Sequence, residues 1–117
     1  MFRREMLGGI AVITLEIPSL DASNASDVAA RLAEAMPEEA PAIVDLGALR
    51  YFDLSGFAGI LKWAARPAVR LCSRSRSIHA LLELLRADAV VKLYQSREEA
   101  MASFPRRELP QRRAARA

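Results

Sequence analysis

The chain has one cysteine, Cys72, and one histidine, His79, among its 117 residues. A lone cysteine excludes a disulfide framework within the chain and suits a reducing compartment, so a cytoplasmic location is expected. One Cys with one His cannot assemble a zinc constellation, and neither a metal nor any other cofactor is expected. No apolar run is long enough to cross a membrane. The opening Met1 to Leu15 has a basic start and an apolar stretch like a short signal peptide. Glu5 interrupts its basic region, Glu16 ends the apolar run, and no clean A-x-A site adjoins it, so secretion is not expected.

Two catalytic patterns are also missing. A nucleophile elbow needs G-x-S-x-G, but Asp53 and Phe57 occupy the glycine positions around Ser55. A receiver-type phosphoacceptor at Asp45 would need an acidic pair at the end of an earlier strand to hold magnesium, where Ile17-Pro18-Ser19 stands. Hydrolase and phosphorelay chemistry are therefore set aside, and the chain is not expected to be an enzyme. His79, in the first turn of a helix, is expected to be exposed.

The net charge of +3 is unevenly placed. After Pro105 the chain carries Arg106, Arg107, Arg112, Arg113 and Arg116 against Glu108 alone, a balance of +4. The remainder holds 12 basic and 13 acidic residues and is close to neutral. The expected division is one domain over residues 1–105 and a basic, disordered tail over 106–117. The tail offers weak, salt-sensitive attraction to anionic surfaces, and no specific nucleic-acid partner is expected. With 52% hydrophobic and 26% charged residues, the rest has the balance of a soluble globular domain with a single core.

The spacing of apolar residues sets out the elements. Phe2 to Leu7 and Ile10 to Ile17 flank Gly8-Gly9, a two-residue hairpin signal. Ala11, Ile13, Leu15 and Ile17 share one face of the second strand, and Ile10 and Val12 make the other face apolar, as in an interior strand. After Leu20-Asp21-Ala22, either Ser23 or Asn24 caps a helix with Ala25, Val28, Ala29, Leu32 and Met36 on one stripe, closed by Pro37 and Glu38-Glu39. Ala42 to Leu46 reads as a central parallel strand. Leu49 to Phe52 then leads to the corner Asp53-Leu54-Ser55-Gly56. From Gly56 the spacing of Phe57, Ile60, Leu61 and Ala64 predicts a helix, with Trp63 at the stripe's edge and Pro67 as its stop.

Val69 to Cys72 alternates as a strand, with Cys72 a small buried residue. Ser77 is expected to cap the next helix, which carries Ile78, Leu81, Leu82 and Leu85 inward. Val90 to Tyr94 makes a last strand. Ser96-Arg97-Glu98-Glu99 is a capping-box pattern opening a helix with Ala100, Met101 and Phe104 on one face. Arg66, Arg70, Arg74 and Arg76 are expected on a solvated rim. The class is α/β: a mostly parallel central sheet of about five strands, an N-terminal hairpin and about four helices, most of them on one face.

Three segments in this order resemble the STAS family, the bacterial anti-sigma factor antagonists and their relatives. Val12-Ile13-Thr14-Leu15 followed by Leu20-Asp21-Ala22-Ser23-Asn24-Ala25 is similar to the family's strand and "LDA-x-NA" opening. Val44-Asp45-Leu46 and Phe52-Asp53-Leu54-Ser55-Gly56-Phe57 are similar to "DL…F-x-D-S-S/T-G-L". Leu93-Tyr94 to Ala100 is similar to "x-x-Y-x-S-x-x-E-A". The resemblance covers roughly Gly9 to Phe104.

The resemblance implies a non-catalytic regulatory module for signal transduction and transcription regulation. It would dock on an anti-sigma factor that is also a serine kinase, through Asp21, Asn24, Asp53, Leu54, Ser55 and Gly56. In the family the kinase phosphorylates the serine directly after the corner aspartate, and the added charge releases the partner. Here that position is Leu54, which has no hydroxyl. Ser55 carries the second hydroxyl of the pattern, rotated about 100° around the helix axis, and is the remaining candidate for phosphorylation. A switch at the usual residue is therefore not expected. Leu54 at a turn is expected to be exposed, and Phe57 to be core. The other implied partners are an ABC-type lipid-transport complex, of which the chain would be the cytoplasmic STAS subunit, and a second copy of the chain in a homodimer. A nucleotide-sensing role is a more distant implication.

Overall fold

The computed structural model describes residues 2–35 and 41–105. Gly8 and Gly9 sit at φ +58° and +83°, left-handed values that L side chains rarely adopt, and they close a two-residue hairpin. The hairpin joins β1 (Phe2–Leu7) to β2 (Ile10–Leu15) with an unbroken register from Phe2↔Leu15 to Leu7↔Ile10. β4 (Ala42–Asp45) and β6 (Val69–Cys72) continue the sheet in parallel, and β7 (Leu93–Tyr94) ends it. The order is β1-β2-β4-β6-β7, so β2, β4 and β6 are interior. Every residue of β2 is buried, as its two apolar faces require.

Helices cover both faces unequally. Ala11, Ile13, Leu15, Val44 and Leu71 pack under α1 (Ala25–Ala35), α2 (Leu54–Ala64) and α3 (Arg76–Leu84), whose buried side chains include Val28, Leu32, Phe57, Ile60, Ile78 and Leu82. Ile10, Val12, Ile43 and Cys72 on the opposite face meet Ala100 and Phe104, from α4 (Arg97–Ala102) and the residues just after it. Trp63 falls inside the larger core. Among the described residues no helix is long and apolar enough to cross a membrane.

Several local expectations shift. A second, two-stranded sheet pairs β3 (Ser19–Leu20) with β5 (Tyr51–Phe52), so the approach to the corner is a paired strand rather than a plain link. The last strand shortens to β7, because Ala87–Ala89 form a 3₁₀ turn entered through Arg86 at φ 56°. α3 starts one residue before Ser77, and its cap is Ser75, whose Oγ accepts from the Ile78 N–H at 3.3 Å. Arg70 is buried, not on a rim. Its guanidinium lies 4.1 Å from the centre of the Phe104 ring, Nε donates to Ser103 Oγ at 2.9 Å, and Nη1 donates to the Pro67 carbonyl. A planar cation can be buried in this way when a ring face and two oxygens replace its water. His79 is half-buried, with Nε2 2.9 Å from the Ser73 carbonyl. The helix stop expected at Met36, Pro37 and Glu38-Glu39, and the basic tail after Pro105, lie outside the described residues.

Candidate docking corner

Two segments distant in sequence form one corner. Arg50 and Tyr51 N–H groups both donate to the Pro18 carbonyl, at 2.8 and 2.9 Å, and the Asp53 N–H donates to the Leu20 carbonyl at 3.3 Å. This lays β5 along β3. Asp53 is then extended (φ −139°, ψ 178°), and its Oδ1 accepts from the Gly56 N–H at 2.8 Å, capping α2. Leu54 is the first helical residue, two positions before the Gly56 start expected from the spacing. The first turn runs so close to β3 that a Cβ on Gly56 would lie 2.1 Å from the Leu20 carbonyl oxygen and 2.8 Å from the Asp21 nitrogen. Gly56 is therefore a spacing residue: nothing larger fits between the two segments.

The other half of the corner is held by Asn24. Its side chain does not cap α1. Instead Nδ2 donates to the Ser19 carbonyl at 2.8 Å, and Oδ1 accepts from the Asp21 N–H at 2.9 Å. Ser23 does not cap the helix either; its hydroxyl and N–H both donate to Asp21 Oδ1. The Ser23 hydroxyl, and after it the Ser23 N–H, hold the Asp21 carboxyl below its ordinary range.

The structure thus brings together all the residues singled out from the sequence, in unequal roles. Asp53, Leu54 and Ser55 are exposed, Asp21 and Asn24 are half-buried with side chains engaged in their own loop, and Gly56 is buried. Leu54 is 53% exposed. Phe57 is fully buried, with the Phe52 ring against it edge-on at 5.4 Å. Sequence reasoning missed Tyr51, which is 71% exposed beside Leu54's turn. The available signal was alternation: with Phe52 turned toward Phe57, its neighbour in a strand must face the other way.

The cluster richest in polar chemistry lies elsewhere. The register Thr14↔Asp45↔Cys72 puts three side chains in a row on the α4 face, at the carboxyl ends of β2, β4 and β6. Arg97, in the first turn of α4, donates through Nε to Asp45 Oδ2 at 2.7 Å, through Nη2 to Thr14 Oγ1 at 2.7 Å, and through Nη1 to Glu5 at 3.1 Å. Ser96 caps the helix by accepting from the Glu99 N–H at 3.1 Å, while Glu99 accepts from Gln95 rather than from Ser96, a capping box displaced by one residue. A cleft of about 380 Å³ opens beside this cluster, lined in part by Asp45, Cys72, Ser73, Arg74 and Arg97. Burial first, and then the Asp45 carboxylate, push the Cys72 thiol up to about 12, so it is held as the unreactive thiol. Asp45, weighed in the sequence as a phosphoacceptor, is the carboxylate of an ion pair. Among the described residues no group of three or more His, Cys, Asp or Glu is placed to hold a metal ion.

A model of the STAS domain matches residues 2–100. The chain belongs to the STAS domain family. Its fold is also that of solved STAS structures. An anti-sigma factor antagonist from Mycobacterium paratuberculosis is 15% identical with a TM-score of 0.75, over 88% of this chain and 92% of that one. The Bacillus cell fate determinant SpoIIAA in its phosphorylated form is 21% identical with a TM-score of 0.57, over 87% and 97%. The murine anion transporter Slc26a9 is 13% identical with a TM-score of 0.66, over 84% of this chain but 18% of the transporter. No match was found among curated proteins. At these identities the structural likenesses establish the STAS fold, with a mostly parallel sheet and, among the described residues, four α-helices.

Proposed function

We propose that this STAS domain is a non-catalytic, cytoplasmic regulator that docks on a protein partner through the Asp53–Gly56 corner, the partner being an anti-sigma factor of the serine-kinase type. One observation carries the reading. The first residue of α2, directly after the capping Asp53, is an exposed leucine. Together with Tyr51 it puts apolar surface where an isolated monomer would favour polar groups. Such a contact stays available whatever the kinase does, because Leu54 cannot accept a phosphoryl group. Ser55 follows it on the helix, but faces about 100° away from the usual acceptor.

The test is photo-crosslinking from position 54 in cells, followed by incubation of the captured partner with the full chain and ATP and by phosphosite mapping. Capture of an anti-sigma ATPase that binds equally with and without ATP is the expected result. Stoichiometric phosphate on Ser55 with loss of binding would sink the unswitched mechanism.

A second reading, the STAS subunit of an ABC-type lipid-transport complex, draws support from the likeness to part of an anion transporter. The same crosslinking separates the two, since a transporter ATPase as the captured partner would favour it.

A further inference from the structure

We infer that two copies of the chain associate through the outer edge of β1, extending the five-stranded sheet into one continuous sheet across a two-fold axis. The inference is independent of the docking corner, so its failure would leave the proposed function untouched.

The edges of the sheet differ. β7 has two residues, both half-buried, and offers little to pair with. β1 has six, of which Arg3 to Leu7 are exposed, and it lies at the end of the strand order. Proteins commonly blunt such an edge by shortness, a proline, a bulge or like charges. β1 is neither short nor bulged and contains no proline, and its charged residues, Arg3, Arg4 and Glu5, are of both signs. In a hairpin with a two-residue turn, the flanking pair Leu7 and Ile10 exchanges both hydrogen bonds. Arg3, Glu5 and Leu7 therefore turn their backbone groups to β2, and Phe2, Arg4 and Met6 present theirs outward.

That alternation fixes the register of a symmetric pair. A two-fold axis normal to the sheet keeps each side chain on its own face, so opposed residues must share a face. Centred on Arg4, the pairing sets Phe2 against Met6 of the second copy and Arg3 against its Glu5. Phe2 packs against the larger core and Met6 is 56% exposed, so the apolar pair covers surface left open in the monomer. Arg3 and Glu5 fall in a non-hydrogen-bonded pair, where side chains approach most closely.

Within one chain Arg3 touches Glu16 at 3.4 Å, and Glu5 touches Arg97 at 3.1 Å. Neither contact saturates a carboxylate, which accepts several hydrogen bonds. Arg97 also retains Asp45 and Thr14. The charges of both signs, two residues apart on one face, make β1 complementary to its own copy rather than repellent to it. Arg4 opposite Arg4 at the axis is the one unfavourable pair, and it keeps the association weak.

Sedimentation velocity of the full chain up to about 1 mM tests this, a range suited to an interface of a single strand. The expected result is a concentration-dependent monomer–dimer equilibrium. Met6→Pro removes an outward N–H while leaving the bonds to β2, and should weaken association at least tenfold. Arg4→Thr should strengthen it at least threefold. Arg3→Glu alone and Glu5→Arg alone should each be monomeric, yet associate with one another when mixed. A wild-type chain that stays monomeric to about 1 mM overturns the inference. So does a dimer indifferent to Met6→Pro, or a mixture of the two charge variants that associates no better than either alone.

Discussion

The corner at Asp53 and the ion-paired end at Arg97 invite opposite readings of the same molecule. Around Arg97 stand a carboxylate pair, a threonine, a thiol and a cleft, the ingredients of an active site. Every one of the guanidinium's polar bonds is nonetheless directed at the sheet, so the arrangement fastens α4 to the carboxyl ends of β2 and β4. The corner has little chemistry of its own. Its polar side chains are spent within their own loops, backbone bonds join the two segments, and what it presents outward includes Leu54, Ser55 and Tyr51. Polar density is a poor guide to function when the polar groups satisfy one another.

Substitutions can set the two regions against each other. Gly56→Ala should have the largest effect, about 3 kcal/mol of lost stability in urea unfolding. The added Cβ meets backbone atoms of Leu20 and Asp21 that cannot give way, which outweighs about 1 kcal/mol of helix propensity gained. Arg97→Ala should cost about 2 kcal/mol, less than for a fully buried pair because the Arg97 and Asp45 side chains keep 28% and 20% exposure. It should leave partner binding intact, whereas Gly56→Ala should lose both. Asp53→Ala should cost about 1 kcal/mol as a lost cap, and Asp53→Asn only a few tenths, since either side chain can accept from Gly56.

The smallest effect concerns pH. Cys72 is raised on folding from 9.0 to about 12, so the folded state disfavours its thiolate. The stability linked to it is complete below pH 9 and is lost as pH rises from 9 toward 12. Unfolding curves should therefore carry no contribution from Cys72 ionisation at pH 7, and alkylation of the native thiol should be slow until the chain unfolds.

Much of this architecture was legible before the structure. The glycine pair, the two apolar faces of β2 and the helical stripes gave the layers, because each reports burial with a simple period. The STAS resemblance put Asp21, Asn24 and the Asp53–Gly56 segment in one place, which their spacing alone could not. What escaped depends on contacts between distant residues. The β3–β5 ladder is two residues long and leaves no periodic trace. Arg70 looked like a rim residue because its ring partner, Phe104, comes from the far end of the chain. Arg97 read as part of a cap, and its reach to Asp45 and Thr14 is set by sheet register. Ser75 rather than Ser77 caps α3, a shift within the ordinary uncertainty of helix ends when several serines stand together.

The most direct test of the docking account is the affinity of the crosslinked partner for Leu54→Asp relative to the wild-type chain, with thermal unfolding as a control. A carboxylate in the first turn of α2 suits the helix dipole, so the fold should keep its stability. The account predicts binding at least tenfold weaker. Equal affinity for the two proteins would contradict it.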